Sequence, residues 1–245
     1  MSSFRMGKSR SRTAVAAGWA AVVLLTATGA HASFVTNWSG SQMLTDNDPS
    51  GWSFSFTPAE TNATITDVNV TLDIAGGFNG DLYAYLVHGG SYSVLLNRTG
   101  RTDGAPDGYA NTGFAVTLDD QAPLVGGTTF ADIHLYGSLN PVYNGSGQLT
   151  STWQPDGRTD SPTNVLAGTS NRTAFLSSFN GQDPAGSWTL FVADLSPGGV
   201  STMRGASIEV STIPEPASLV MLLAGLALCG LRRLRPRTVE TPPAG

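Results

Sequence analysis

Carboxylates are the side chains of this sequence best suited to chemistry, because they recur where apolar runs end. Six aspartates occupy candidate turns or strand ends: Asp46, Asp48, Asp81, Asp119, Asp120 and Asp194. Ca²⁺ takes about six to eight oxygen ligands, often from several loops, so converging aspartates predict one structural calcium site. Aspartate also forms turns without any ion, because its side chain bonds the backbone two residues on, and both roles stay open.

One acidic segment has the spacing of a known calcium loop. Asp46, Asp48 and Ser50 alternate before Gly51, as in the first half of an EF-hand. The twelfth position of that loop requires a bidentate acidic residue, and Thr57 stands there instead. An EF-hand is therefore excluded, which leaves a looser calcium-supporting loop or a solvated turn.

Residues for nucleophilic or metal-dependent catalysis are few. After the N-terminal leader the only histidines are His88 and His134, far apart in sequence, and Cys229 lies in the apolar C-terminal tail. A zinc site needs clustered His and Cys ligands. The sequence also lacks a Gly-x-Ser-x-Gly nucleophile elbow. We therefore expect a non-catalytic chain with no certain cofactor, in which both histidines are core or surface residues.

Two tyrosines offer a binding surface. Tyr83 and Tyr85 lie two residues apart and so share one face of a strand, an arrangement that could stack on a sugar ring. Their apolar neighbours favour burial in a sandwich core over this sugar-binding role.

The segment around which the other elements must pack is Gly186–Asp194. Trp188, Leu190 and Val192 fall on one face of an extended chain, and Thr189, Phe191 and Ala193 fall on the other. Apolar residues on both faces predict a central strand that is covered on both sides.

Further strands follow from alternating apolar residues and turn signals. Thr64–Ile74 predicts a strand with one wet face, and the other candidates are Asp81–Val87, Tyr92–Asn97, Phe114–Leu118, Thr128–Tyr136 and a closing strand over 206–210. The Gly-, Ser- and Thr-rich residues 140–170 predict a long loop, either functional or mobile. Because helical crossovers are missing between most strands, we expect an all-β, antiparallel β-sandwich resembling a jelly roll.

Composition supports one exported domain over residues 33–213. This body carries five arginines, no lysine, fourteen aspartates and two glutamates, a net charge of −11 with histidines neutral. A domain this acidic repels nucleic acid and anionic lipid, so neither is expected as a partner. It contains no cysteine, so its stability comes without disulfides.

The N-terminus has the pattern of a secretory signal peptide over residues 1–32. A basic region precedes the apolar run Ala14–Ala27, and Ala30 and Ala32 form a small-x-small cleavage site before Ser33. This pattern predicts export by the Sec machinery, with signal peptidase cleaving before Ser33. An uncleaved signal helix is the alternative.

Four segments of the body, in order, resemble one family. They are Asp46–Gly51, Ile65–Val70 leading to Gly80-Asp81-Leu82, Thr117–Ala122, and Phe179–Leu190 running on to Asp194. Together they resemble the P domain (Homo B domain) of proprotein convertases across residues 46–210. The resemblance implies a jelly-roll sandwich that, in convertases, follows and stabilises a subtilisin-like protease domain. It also implies calcium binding in some relatives.

The C-terminus resembles a second family signal over residues 214–237. Pro214, Glu215 and Pro216 precede an uncharged apolar run of fifteen residues, and a basic cluster follows: Arg232, Arg233, Arg235 and Arg237. This arrangement resembles the PEP-CTERM sorting signal of Gram-negative, exopolysaccharide-producing bacteria, which implies processing by an exosortase. The arginines would hold a transiently inserted helix on the cytoplasmic side of the inner membrane. A plain C-terminal anchor is the alternative, and residues 238–245 are expected to be a disordered tail.

Two functions are compatible with these patterns. The first is an exported, non-catalytic protein of the cell surface or extracellular matrix that binds exopolysaccharide or surface proteins. The second is an inactive accessory module of a subtilisin-like serine protease system. The first is favoured, because the sequence supplies no catalytic motif.

The processing hypothesis predicts the mass of the mature protein. Intact mass spectrometry of the secreted protein should give a chain that starts at Ser33 and ends near Pro214. A mass that still includes the arginine cluster from Arg232 onward would contradict the sorting hypothesis.

Overall fold

The computed structural model describes residues 32–59, 62–123, 131–214 and 225–226. These residues contain nine strands: β1 Ala32–Met43, β2 Asp48–Phe56, β3 Ala63–Gly76, β4 Leu82–His88, β5 Ser91–Asn97, β6 Gly113–Leu118, β7 Thr152–Trp153, β8 Trp188–Asp194 and β9 Ser201–Pro214. Three short 3-10 helices cover Asn79–Asp81, Ile133–Ser138 and Leu176–Phe179.

The strands form two facing sheets. The first has the order β1-β9-β3-β6-β7, and the second has the order β2-β8-β4-β5. All pairings are antiparallel except that of β6 with the two-residue β7. Apart from the two-residue β7, the chain has eight strands that cross repeatedly between two antiparallel sheets, as in a jelly roll. The predicted all-β, antiparallel sandwich is therefore confirmed.

The predicted central strand is β8, which lies between β2 and β4. Trp188, Leu190 and Val192 are fully buried on its inner face. The Trp188 ring stacks 4.0 Å from His88, and its indole nitrogen donates to the carbonyl of Pro184 at 3.0 Å. The prediction that both faces are covered is wrong for Phe191, which is only half-buried on the outer face.

The predicted half-wet strand is confirmed in β3. Val70, Leu72 and Ile74 are fully buried, whereas Thr71 between them is exposed. This alternation follows because successive side chains of a strand point to opposite sides of the sheet. The inner residues of β3 pack against those of β8 and β4, and the core lies between the two sheets.

One predicted strand is wrong. Of the segment Thr128–Tyr136, residues 131–136 are described, and Ile133–Ser138 form a 3-10 helix. Asp132 starts this helix, because its carboxylate accepts a hydrogen bond from the amide of His134 at 2.9 Å. Such a cap favours a helical turn over an extended chain.

Both terminal predictions fall largely outside the described residues. The signal peptide over 1–32 is described only at Ala32, and the sorting segment over 214–237 only at Pro214 and the helical pair Gly225–Leu226. The tail 238–245 lies outside them entirely. Among the described residues, no helix is both long and apolar enough to cross a bilayer.

Candidate functional site

Three aromatic rings line the outer face of the second sheet. Tyr83 and Tyr85 of β4 alternate with buried Leu82 and Ala84, so they point away from the core. The rings of Tyr83 and Tyr85 are 5.7 Å apart, and Tyr85 stacks on Phe191 of β8 at 4.8 Å. The preference for a core role of the two tyrosines is therefore wrong, because both are half-exposed on the outer surface.

These rings form the floor of a groove of about 480 Å³. That volume falls within the roughly 300–1,000 Å³ typical of ligand sites, which are mostly apolar with a few polar groups. The groove is lined by Asn47, Pro49, Tyr83, Tyr85, Arg98, Pro162, Thr163, Phe191 and Leu195. Its walls come from two segments far apart in sequence, the turn at the start of β2 and the long segment after β7.

The first wall is the Asp-rich turn that resembles half of a calcium loop. The Asp48 carboxylate accepts a hydrogen bond from the Ser50 amide at 2.8 Å, which is the Asx turn expected as the alternative. The same hydrogen bond lowers the pKa of Asp48. Gly51 has a φ of +55°, and a Cβ there would lie 2.6 Å from the Phe191 ring. Glycine therefore lets the turn approach the groove floor closely.

The second wall belongs to the segment predicted as a long loop. Its residues from Trp153 to Arg158 are all buried, so this part is neither a surface loop nor free of contacts. The segment runs along the outer edge of β5, where the amides of Asp156 and Gly157 donate to the carbonyls of Leu95 and Val94. From there it continues to Pro162 and Thr163 at the groove.

A buried ion cluster anchors this second wall. Arg158 donates to both carboxylate oxygens of Asp132, at 2.9 and 3.2 Å, and to Asp156 at 3.1 Å. His134 contacts the other oxygen of Asp156 through Nδ1 at 2.7 Å. Arg172 lies 3.6 Å from Asp132. Two buried aspartates are thus neutralised by the buried Arg158 and the half-buried Arg172.

The electrostatics of Arg158 reflect this pairing. Burial alone would lower its pKa, but the hydrogen bonds and charges of Asp132 and Asp156 raise it above the ordinary arginine value. The Nε atom of Arg158 is buried without a partner. Because a buried charge is tolerated only when it is paired, all three residues depend on one another.

Hydrogen bonds to neighbouring backbone atoms connect the cluster to the groove wall. The Asn97 side-chain amide donates to the carbonyls of Arg158 and Asp160, both at 3.0 Å. Arg101 donates to the carbonyl of Pro162 at 2.5 Å. The wall is therefore held from β5 and from the loop that follows it.

Sequence analysis did not identify this cluster. Its members come from residues 132, 134, 156, 158 and 172, and no periodic pattern links them. The available signal was an Asp-Gly-Arg tripeptide, Asp156 to Arg158, within a segment otherwise poor in charge. A short tripeptide of this kind is usually interpreted as an exposed turn.

Of the predicted calcium ligands, Asp81 and Asp194 lie together. Both are buried, at 4% and 0% exposure, at the adjacent ends of β4 and β8. Burial, and then the charge of Asp194, raise the pKa of Asp81 to about 6. Burial also raises the pKa of Asp194, whose Oδ2 accepts from Ser201 and whose Oδ1 has no hydrogen-bond partner.

The countercharge of this pair is Arg98, whose guanidinium lies 3.4 Å from Asp81. Arg98 also lines the groove, whereas Asp81 lines a separate depression of about 350 Å³ beside Asp107 and Tyr109. The Arg98–Asp81 ion pair therefore stands between the two concavities.

The other predicted ligands do not join them in one set. Asp120 accepts the amides of Leu176 and Ser177 at 3.1 and 2.7 Å, and Asp119 accepts the amide of Gln121. Asp46 accepts from the Gly198 amide, at 3.2 Å. Within the described ranges, no group of three or more His, Cys, Asp or Glu side chains is arranged to hold a metal ion.

Both described histidines are occupied by structural contacts. His134 is fully buried, and its Nε2 faces the Arg101 carbonyl at 3.2 Å. His88 faces the carbonyls of Ser187 and Asp183 at 3.2 and 2.8 Å. Since each ring nitrogen already has an acceptor, neither histidine offers a free nitrogen to a substrate.

Comparison with known proteins finds only distant likeness. No family model matches the chain, and no curated protein matches it. Among solved structures, it is similar to a chain in the complex of the Aeromonas sobria serine protease with its chaperone, with a TM-score of 0.40, 13% identity and 75% of this chain covered. It is also similar to the Aeromonas sobria protease alone, with a TM-score of 0.39, 14% identity and 74% covered. The chain spans 27% of the length of each.

The acidic pair predicts a specific pH dependence. The pKa of Asp81 is about 6 in the folded protein, against roughly 3.9 in an unfolded chain. The folded state therefore binds a proton more tightly, so the contribution of Asp81 is favourable below pH 4 and is lost as the pH rises to about 6. In calcium-free buffer, the free energy of unfolding of the wild type should fall across this range relative to that of Asp81→Asn.

Chemical denaturation at several pH values measures this difference. Asp103→Asn is the matched control, because it removes an exposed carboxylate from the loop that follows β5. Parallel pH profiles for the wild type and Asp81→Asn would contradict the assignment.

Proposed function

We propose that this protein is an exported, non-catalytic binding module that holds a polysaccharide chain in the aromatic groove. The observation that carries the proposal is the row formed by Tyr83, Tyr85 and Phe191, which lies half-exposed on an otherwise regular sheet face. Monomeric soluble proteins seldom leave several neighbouring aromatic rings open to solvent unless they bind something. Flat rings offer an apolar surface to the C–H face of a sugar, while nearby polar groups can bond its hydroxyls.

The groove supplies such polar groups at its rim. Asn47, Arg98 and Thr163 line it beside the rings. Burial raises the pKa of Tyr83, so its hydroxyl stays neutral and can both donate and accept a hydrogen bond. This mixture suits a hydroxyl-rich ligand better than a purely apolar one. The proposal of a non-catalytic role is supported by His88 and His134, because each of their ring nitrogens faces a protein oxygen instead of open solvent.

Export and sorting form the second part of the proposal. The signal peptide would direct the chain through the inner membrane, and an exosortase would process it near Pro214. The protein would then stay at the cell surface or in the extracellular matrix. The strand register supports processing at both ends. Ala32 of β1 pairs with Thr212 of β9, so both processing points lie at the rim of one sheet. Cleavage at either point leaves the two-layer core in place.

An accessory role in a subtilisin-like protease system is the alternative. Its support is the P-domain resemblance, two of whose segments lie side by side in the structure. Leu82 of the Gly80-Asp81-Leu82 segment pairs with Asp194 at the end of the Trp188 segment. In this role the sandwich would dock on a separate peptidase rather than on a sugar.

Calcium is proposed only at the Asp81–Asp194 pair. Two buried carboxylates, one with an unpartnered oxygen, fit a cation better than any other pair among the predicted ligands. Ca²⁺ should raise the melting temperature of the wild type and leave that of Asp194→Asn unchanged, since a ligand stabilises only the state that binds it. EDTA should reverse the gain. Equal melting of the wild type with Ca²⁺ and with EDTA would remove calcium from the proposal.

Affinity electrophoresis tests polysaccharide binding. The wild type should be retarded in at least one gel of a series. Each gel contains one polysaccharide: exopolysaccharide from the producing organism, hydroxyethylcellulose, laminarin, dextran or alginate. Tyr85→Ala should weaken that binding about tenfold, because one stacking contact and its buried area are lost. Tyr92→Ala is the matched control, since Tyr92 is 46% exposed and lies outside the groove.

The outcomes separate the two functions. Equal retardation of the wild type and Tyr85→Ala would contradict a role for the groove. No retardation in any gel, together with capture of a secreted subtilisin-like protease by the immobilised wild type, would favour the accessory role instead.

A further inference from the structure

One side of the sandwich carries two free strand edges. In the described part of the chain, β1 pairs only with β9 and β2 pairs only with β8, so each ends its sheet. The two edges lie next to each other, because the rings of Trp38 on β1 and Trp52 on β2 are 4.5 Å apart. This side thus presents two rows of backbone groups that no described strand pairs.

The opposite side is protected. There the last strand of the first sheet, β7, has only two residues. The edge of β5 in the second sheet is covered by the long segment, which bonds to it through Asp156 and Gly157, and by Ala174, which follows that segment. Short edge strands and covered edges are the usual means by which proteins prevent strands of two chains from pairing. Among the described residues, none covers the β1–β2 side in this way.

The composition of β1 also leaves its edge open. Ala32–Met43 contains no charged residue and no proline, the two residue types that most often block an edge. Its register with β9 is regular from Ala32 to Ser39, and a bulge follows before Gln42. Phe34 and Trp38 are half-buried on its inner face, and Val35 is 51% exposed on its outer face.

The lack of charge on the β1 edge favours a second copy of this chain as its partner. The body carries a net charge of −11, so two copies repel each other over most of their surfaces. The uncharged β1 edge is where a second acidic copy can approach without placing like charges opposite one another. The side chains of β1 are also complementary when β1 pairs antiparallel with β1 of a second copy. With a two-fold axis at Thr36, Phe34 comes opposite Trp38 of the second copy, on the same face of the joined sheet.

We propose that this protein forms a two-fold symmetric dimer in which β1 pairs antiparallel with β1 of a second copy. The two five-stranded sheets become one continuous sheet, and the half-buried aromatic residues near the edge gain cover. Such an interface is isologous and therefore closes at two copies. The aromatic groove lies on the outer face of the other sheet, so a dimer would carry two grooves.

Sedimentation velocity of the mature protein over a range of micromolar concentrations tests the dimer. Because the interface is uncharged and the bodies repel each other, association should strengthen when salt rises from about 0.01 M to about 0.5 M, as screening shortens the range of repulsion. Thr36→Lys should weaken the dimer at least about tenfold, since it places two like charges opposite each other at the axis. This change makes the body less acidic, so a weaker dimer cannot come from added repulsion between the bodies.

Thr71→Lys is the control, because it makes the same charge change at an exposed position on the outer face of β3. It should leave the dimer at least as strong as in the wild type. A second experiment does not depend on how Thr36→Lys folds. The single cysteine of the full chain is Cys229, so in a Cys229→Ser background Thr36→Cys introduces the only thiol. It should give a disulfide-linked dimer on mild oxidation, whereas Thr71→Cys should not. Opposed residues of an antiparallel pair lie at about 4.5–5.5 Å, within disulfide range.

A monomer at every concentration and salt would overturn the proposal. So would a dimer that Thr71→Lys weakens as much as Thr36→Lys, or one in which Thr36→Cys fails to cross-link.

Discussion

The buried pairing of Arg158 with Asp132 and Asp156 is the interaction on which the candidate site depends. It joins the 3-10 helix after residue 131 to a segment more than twenty residues further on, and fixes that segment against β5. Making a buried ion pair contributes little net stability, but removing one partner costs about 3–5 kcal/mol because a charge is left unpaired. The cluster thus restrains the wall that contains Pro162. If this wall moved away, charged groups would be exposed or left without a partner.

A second constraint comes from the two faces of β4 and β8. Their inner residues build the core that any sandwich needs, so a substitution there acts mainly on stability. Their outer faces carry the aromatic residues Tyr85 and Phe191, which no second layer covers completely. Apolar residues on both faces of a strand are commonly taken as a sign of full burial. Here the second apolar face forms a groove, and the half-cover comes from loops instead of from a sheet.

Local pattern was sufficient for the fold class and for strands β3, β4, β5, β6, β8 and β9. The alternation in β3, the strands β4 and β5 and the closing strand β9 all follow from side-chain period and turn residues, and so does the two-sheet architecture. Prediction was wrong where one polar side chain decided the backbone, as where Asp132 caps a 3-10 helix within an apolar run. It was incomplete where the partners are remote in sequence. The residues next to Arg158 in sequence do not distinguish it from an exposed arginine. Local sequence also does not show that Asp81 lies beside Asp194, more than a hundred residues away.

The two concavities are electrically connected through one ion pair. Arg98 lines the groove, while its partner Asp81 lines the neighbouring depression and is close enough to Asp194 for their charges to interact. When Asp81 is ionised, its charge offsets that of Arg98 at this end of the groove. When Asp81 takes up a proton near pH 6, the guanidinium charge faces the groove without that offset. The charge at this end of the groove is therefore set partly by a carboxylate that lines the neighbouring depression and not the groove itself.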